Sequence, residues 1–114
     1  MTTRNVLPAI RVSTNRPVDF TVAHLTFAPG GTTGWHVHPG PVLVVVKSGT
    51  ITKYAADCSA TRFTAGRAFV ERGPRDLNMV LNEARTHAET IVTFITRWER
   101  RLATTPPHHP DANP

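Results

Sequence analysis

The chain has 114 residues, with 13 Lys and Arg against eight Asp and Glu and a formal net charge of +5. That length supplies one hydrophobic core and excludes two domains, and no apolar run approaches the roughly 20 residues of a membrane-spanning helix. The charge is arginine-rich but scattered, and its densest group, Arg97, Arg100 and Arg101, has only Trp98 as a stacking partner, so a solvated surface is expected and a nucleic-acid or membrane partner is not.

The N-terminal residues 1–5 carry a charge with no apolar stretch behind them, so no secretory signal is expected. Residues 19–28 alternate, with Ala23, Leu25 and Phe27 on one face and Phe20, Val22 and His24 on the other, and Pro29-Gly30-Gly31 ends the run. Residues 41–47 are nearly continuous valine, the pattern of a strand buried on both faces. Ser48-Gly49 then turns into a strand at 50–55, which predicts a hairpin. Asp57-Cys58-Ser59 is a turn, and further strands are predicted at 60–64, 68–71, 77–81 and 87–98. A helical turn is expected only at 97–102, and residues 103–114, rich in proline and histidine, form no core and are expected to be a disordered tail beyond a single domain of residues 1–102. The lone Cys58 has no internal disulfide partner and fits a reducing cytoplasm. Short strands with regular turn signals predict an all-β sandwich or barrel.

His36 and His38 carry the clearest chemical signal. On an extended segment, residues i and i+2 share a face with Cα atoms about 6.6 Å apart, close enough for two imidazoles to meet on one metal ion. By the same alternation Trp35 points to the other face, toward the partner sheet or a second subunit. Around the pair, Gly30 precedes His36 with five residues between them, and Gly49 closes the following valine run. That pattern resembles the first motif of the cupins, G-x5-H-x-H-x(3,4)-E-x6-G, except that Val42 or Leu43 stands where the glutamate belongs. The second cupin motif, G-x5-P-x-G-x2-H-x3-N, is matched loosely. Gly66 and the five residues ending at Glu71 lead into Arg72-Gly73-Pro74, and with one inserted residue Asn78 takes the place of the histidine and Asn82 that of the asparagine. The resemblance spans residues 21–95 and implies a single cupin-type β-barrel, a jelly-roll-like double-stranded β-helix that pairs as a homodimer.

The resemblance also implies a divalent metal, with iron, zinc, copper, manganese and nickel all open, held by His36 and His38. Two imidazoles alone hold such an ion weakly. Glu71 is the candidate third donor, an acidic residue closing the apolar strand Ala68-Phe69-Val70; its other expected role is an exposed carboxylate paired with Arg72 or Arg75. Facing inward, it completes a two-histidine-one-carboxylate face like that of non-haem iron oxygenases. Asn78 is a weaker candidate ligand, or else satisfies loop amides. Glu71 and Tyr54 are the candidate catalytic groups, the latter if its ring reaches the barrel interior. His24 is expected to be packed or at an interface and His87 exposed, while His108 and His109 lie in the tail and Cys58 is given no role. Two functions follow: a metal-dependent enzyme acting on a small organic molecule in the barrel mouth, of oxygenase or isomerase type, or a non-catalytic small-ligand binder, a sensor or accessory protein with a degenerate metal site.

Overall fold

A computed structural model describes residues 13–97. Its seven strands are β1 (Val18–Phe27), β2 (Val42–Ser48), β3 (Thr50–Ala55), β4 (Ala60–Thr64), β5 (Ala68–Glu71), β6 (Asn78–Leu81) and β7 (Ala88–Arg97). Each predicted strand is present, with ends shifted by at most one residue. The expected turn at 97–102 and tail at 103–114 lie outside the described residues, apart from Arg97.

The strands form two antiparallel sheets, ordered β1-β7-β2-β5 and β4-β3-β6. β1 and β7 pair along their whole length, from Val18↔Arg97 to Phe27↔Ala88, so the two ends of the described chain close one side of the molecule. Inward residues of both sheets meet in the core: Phe27, Val42, Val44, Val46, Ile51, Phe69, Val80, Ala88 and Val92. Each valine, isoleucine and phenylalanine among them contributes about 1.5–3 kcal/mol on leaving water. The valine run behaves as a one-sided strand, not the doubly buried one expected. Val42, Val44 and Val46 are buried, whereas Leu43 and Val45 on the outer face are only half-buried. On β1, Phe20 and Val22 stay exposed on that outer face.

The predicted hairpin of β2 and β3 does not form. β2 already has β7 on one side and β5 on the other, leaving no free edge for β3, which joins the second sheet. Gly49 is therefore a corner between sheets. Its φ is +76°, and a side chain there would come within 2.6 Å of the His87 carbonyl oxygen, so only glycine fits.

The segment before β2 runs alongside β6 as an irregular extra strand. Thr33 N–H donates to the Val80 carbonyl at 3.0 Å, and His36 and Asn78 exchange backbone bonds at 3.0 and 3.1 Å. At the far end of β6, Asn82 is fully buried and pins the following loop. Its Nδ2 donates to the Phe27 and Thr86 carbonyls at 3.0 and 2.9 Å, and its Oδ1 accepts from Ala84 N–H at 3.0 Å. Asn82→Ala removes three bonds of a buried side chain at once and is expected to cost about 3 kcal/mol, measured by chemical denaturation.

Candidate metal centre

His36 is delivered by the irregular segment along β6, His38 by the two residues that follow, and Glu71 by the last position of β5. They converge between the two sheets at one end of the barrel. Glu71 Oε1 lies 3.0 Å from His36 Nε2 and 3.5 Å from His38 Nε2, and one donor atom from each residue falls within 4.8 Å of the others. The imidazoles sit edge-to-face with centroids 4.6 Å apart, so the predicted shared face is realised. Glu71 does not pair with Arg72 or Arg75. It is 4% exposed and faces the histidines, while Arg72, the residue after the strand, is exposed to solvent.

The missing motif glutamate has a structural answer. Val42, which stands in its place, is the direct cross-strand partner of Glu71, and both side chains point inward. The carboxylate thus enters from the adjacent strand instead of from β2.

The donors suit a cation. Gly34, at φ +70°, turns its carbonyl to accept from His36 Nδ1 at 2.9 Å. That bond fixes the proton on Nδ1 and leaves the Nε2 lone pair aimed at a carboxylate. Two lone pairs 3.0 Å apart repel unless a proton or a metal ion lies between them. In the metal-free protein the proton takes that place. Burial pushes His36 toward the neutral form, but the Glu71 bond, the Gly34 carbonyl and the charges of Glu71 and Asp76 outweigh it, and its pKa is raised. For Glu71, burial works upward, and the bonds and charges of His36 and His38 override it to hold the carboxyl far below the usual range. Metal bonds of 2.0–2.2 Å place neighbouring donors roughly 3.0–3.5 Å apart, the separations found here for the two His–Glu pairs. His38 Nδ1 and Asn78 Oδ1 are buried with no hydrogen-bond partner, so polar capacity remains at the site. Asn78 shares the inward face with His36, its backbone partner, and its Nδ2 donates to the Asp76 carbonyl at 3.0 Å.

The centre opens into a cavity of ≈ 270 Å³ walled mainly by apolar side chains, among them Phe27, Val44, Ile51, Val80, Val92 and Phe94. Among the described residues no Lys or Arg lines it. The Phe94 ring packs edge-on against His38 at 5.4 Å and holds it in place. Sequence reasoning missed Phe94, and also Thr33 and Thr90, which line the cavity as ordinary residues of alternating or loop segments.

Tyr54 is not part of the site. It lies on the outer face of β3, and its hydroxyl donates to Glu83 at 2.6 Å. Inward-facing Lys53 turns its amine toward Asp76 at 3.7 Å and over the Phe69 ring. Trp35 is buried within the single chain, so no second subunit is needed to cover it. His24 pairs with Glu89 at 3.0 Å, and His87 and Cys58 are exposed.

No protein-family model and no curated protein sequence matches the chain. Solved structures do. It is similar to an uncharacterized conserved protein with a double-stranded β-helix domain from Klebsiella pneumoniae, at 20% identity and a TM-score of 0.64, covering 84% of this chain and 89% of that one. It is also similar to a cupin domain from Bordetella pertussis, at 23% identity and a TM-score of 0.57, covering 84% of this chain and 98% of that one. A third is a sugar phosphate isomerase of the cupin superfamily from Silicibacter pomeroyi, at 17% identity and a TM-score of 0.60, covering 68% of this chain and 50% of that one. Across this and three other similar structures the chain spans 46 to 73% of their length. At these identities the likeness is one of architecture: the chain has the cupin fold, a double-stranded β-helix.

Proposed function

We propose that the protein binds a divalent transition metal through His36, His38 and Glu71 and acts as a metal-dependent enzyme on a small organic molecule in the adjoining cavity. The observation that carries this reading is the Nε2 atom of His36, oriented by the Nδ1–Gly34 bond, facing the buried Glu71 carboxylate at the end of an apolar chamber. Three protein donors leave coordination positions open, as a catalytic site requires. A bound divalent ion supplies Lewis-acid polarisation of a substrate oxygen. The chain's own residues do the rest. Gly34 and Phe94 hold the two imidazoles in orientation, Glu71 provides negative charge that lowers the cost of the cation, and the apolar wall excludes water and so strengthens each charge at the centre. Asn78 Oδ1 is a neutral oxygen available beside His36 as a further donor.

A sugar phosphate, the substrate class named for the Silicibacter protein, suits this cavity poorly, because among the described residues no Lys or Arg lines it to receive a phosphate. The competing reading, a non-catalytic binder, is favoured by one fact: among the described residues, apart from the three candidate ligands, Thr33 and Thr90 are the polar side chains lining the cavity, and neither is a strong general acid or base.

Elemental analysis of untagged protein checks the metal. About one equivalent of metal is expected in the wild type and a loss of it in His36→Ala/His38→Ala. A wild type that takes up none of iron, zinc, copper, manganese or nickel overturns the proposal. Metal-loaded protein that binds small molecules in the cavity and returns them unchanged makes it a binder.

A further inference from the structure

Among the described residues, Thr90 is the cavity-lining residue whose hydroxyl is used neither by the metal centre nor by a hydrogen bond. It sits on β7, 1% exposed, and its Oγ1 has no hydrogen-bond partner. Buried hydroxyls are almost always bonded, and valine has the same shape without the unsatisfied group. The hydroxyl therefore has no structural use that the described residues reveal.

Its position supplies a use. Phe94, Val92 and Thr90 follow one another along the inner face of β7, and all three line the cavity. Phe94 shares the level of Glu71, because both pair with Val42. Thr90 pairs with Val46 and Leu25, four residues farther along the strand, about 13 Å from Phe94 between Cα atoms. Between those levels the wall is apolar, with Val44 opposite Val92. The cavity thus joins a metal-binding end to a single unpartnered hydroxyl past apolar side chains.

We propose that the cavity takes a slender, largely aliphatic molecule with oxygen at both ends, one end at His36, His38 and Glu71 and the other hydrogen-bonded to Thr90 Oγ1. This names the substrate class for the proposed metal centre and rests on that reading. A cavity of ≈ 270 Å³ reaching from one level to the other favours a slender chain, and among the described residues no Lys or Arg lines the wall to pair with a charge in its middle. Thr90 is a specificity residue here, acting at the end of the ligand remote from the metal.

The test uses alkyl hydroxamic acids of four to eight carbons, whose hydroxamate chelates metal, each compared with its ω-hydroxy counterpart. Titration of the zinc-loaded wild type is expected to show a length at which the terminal hydroxyl tightens binding about tenfold. In Thr90→Val that preference disappears, while zinc content, melting temperature and affinity for the plain alkyl compound do not fall. Thr90→Ser keeps the preference. Equal affinity for both members of every pair in the wild type, or an undiminished preference in Thr90→Val, overturns the proposal. Should the wild type take up no metal and bind no hydroxamate, the metal centre fails, and the anchor is read separately with 1-hexanol on the metal-free protein. Weaker binding to Thr90→Val, kept in Thr90→Ser, supports the anchor, and identical binding to all three proteins removes it.

Discussion

Exchanging the residues of one cross-strand pair, Val42→Glu/Glu71→Val, is expected to preserve metal binding that Glu71→Val alone abolishes. Val42 and Glu71 are directly opposed on antiparallel β2 and β5 and are both buried on the inner face. Opposed Cβ atoms lie about 4.5–5.5 Å apart, so a carboxylate launched from either position reaches the same space between the histidines. The exchange keeps one glutamate and one valine in the same volume, which cores tolerate well. Losing a residue that merely orients a ligand costs roughly 10–100-fold in metal affinity, so losing the only carboxylate donor of the group should cost more than about 100-fold. The exchanged protein should recover to within about tenfold of the wild type. Val42→Glu by itself sets two carboxylates against each other; it should destabilise the metal-free protein and be rescued by metal. Chelator-competition titration reads all four proteins. Wild-type affinity in Glu71→Val, or no recovery in a folded double variant, would show that the carboxylate is not a ligand.

The same pair shows how far sequence carries. Strand positions were legible because period-2 alternation and glycine or proline punctuation are local signals, and the His36–His38 face followed from backbone geometry alone. The direction of Glu71 was not local. A charged residue at a strand end next to two arginines fits solvent as well as a site, and only the pairing of β5 with β2 turns it inward opposite Val42. The β2–β3 hairpin failed for a related reason. A short glycine turn is compatible with a hairpin or a corner, and the choice rests on β7, a strand more than 30 residues away in the chain that occupies the edge of β2. Tyr54 went astray by face: Ile51 and Lys53 point inward, so alternation sends Tyr54 out to Glu83. Thr90 left no trace at all, since a threonine in an alternating strand differs from its neighbours only once the lack of a partner for its hydroxyl is seen.

The stability of the protein is expected to depend on pH in opposite senses with and without metal. In the metal-free protein Glu71 is held below its ordinary value of 4.5, so its contribution is present above that pH and is lost as pH falls through the depressed folded value. His36 is raised above 6.5, so its contribution is complete below 6.5 and is lost as pH rises through the raised folded value. Both groups are therefore satisfied between 4.5 and 6.5. At higher pH the proton between Nε2 and Oε1 leaves, two lone pairs face each other in a buried site, and the metal-free protein weakens. Metal replaces that proton, and its binding gains up to about tenfold per pH unit for each proton it must displace, until His36 is neutral without it. Melting temperatures of chelator-treated and metal-loaded protein should accordingly separate as pH rises above 6.5 and through the raised value of His36, the first falling while the second holds or climbs. In Glu71→Gln the metal-free curve should lose its fall above 6.5, because the neutral amide no longer holds the His36 proton. Parallel curves across this range would mean that no cation competes with the proton between His36 and Glu71.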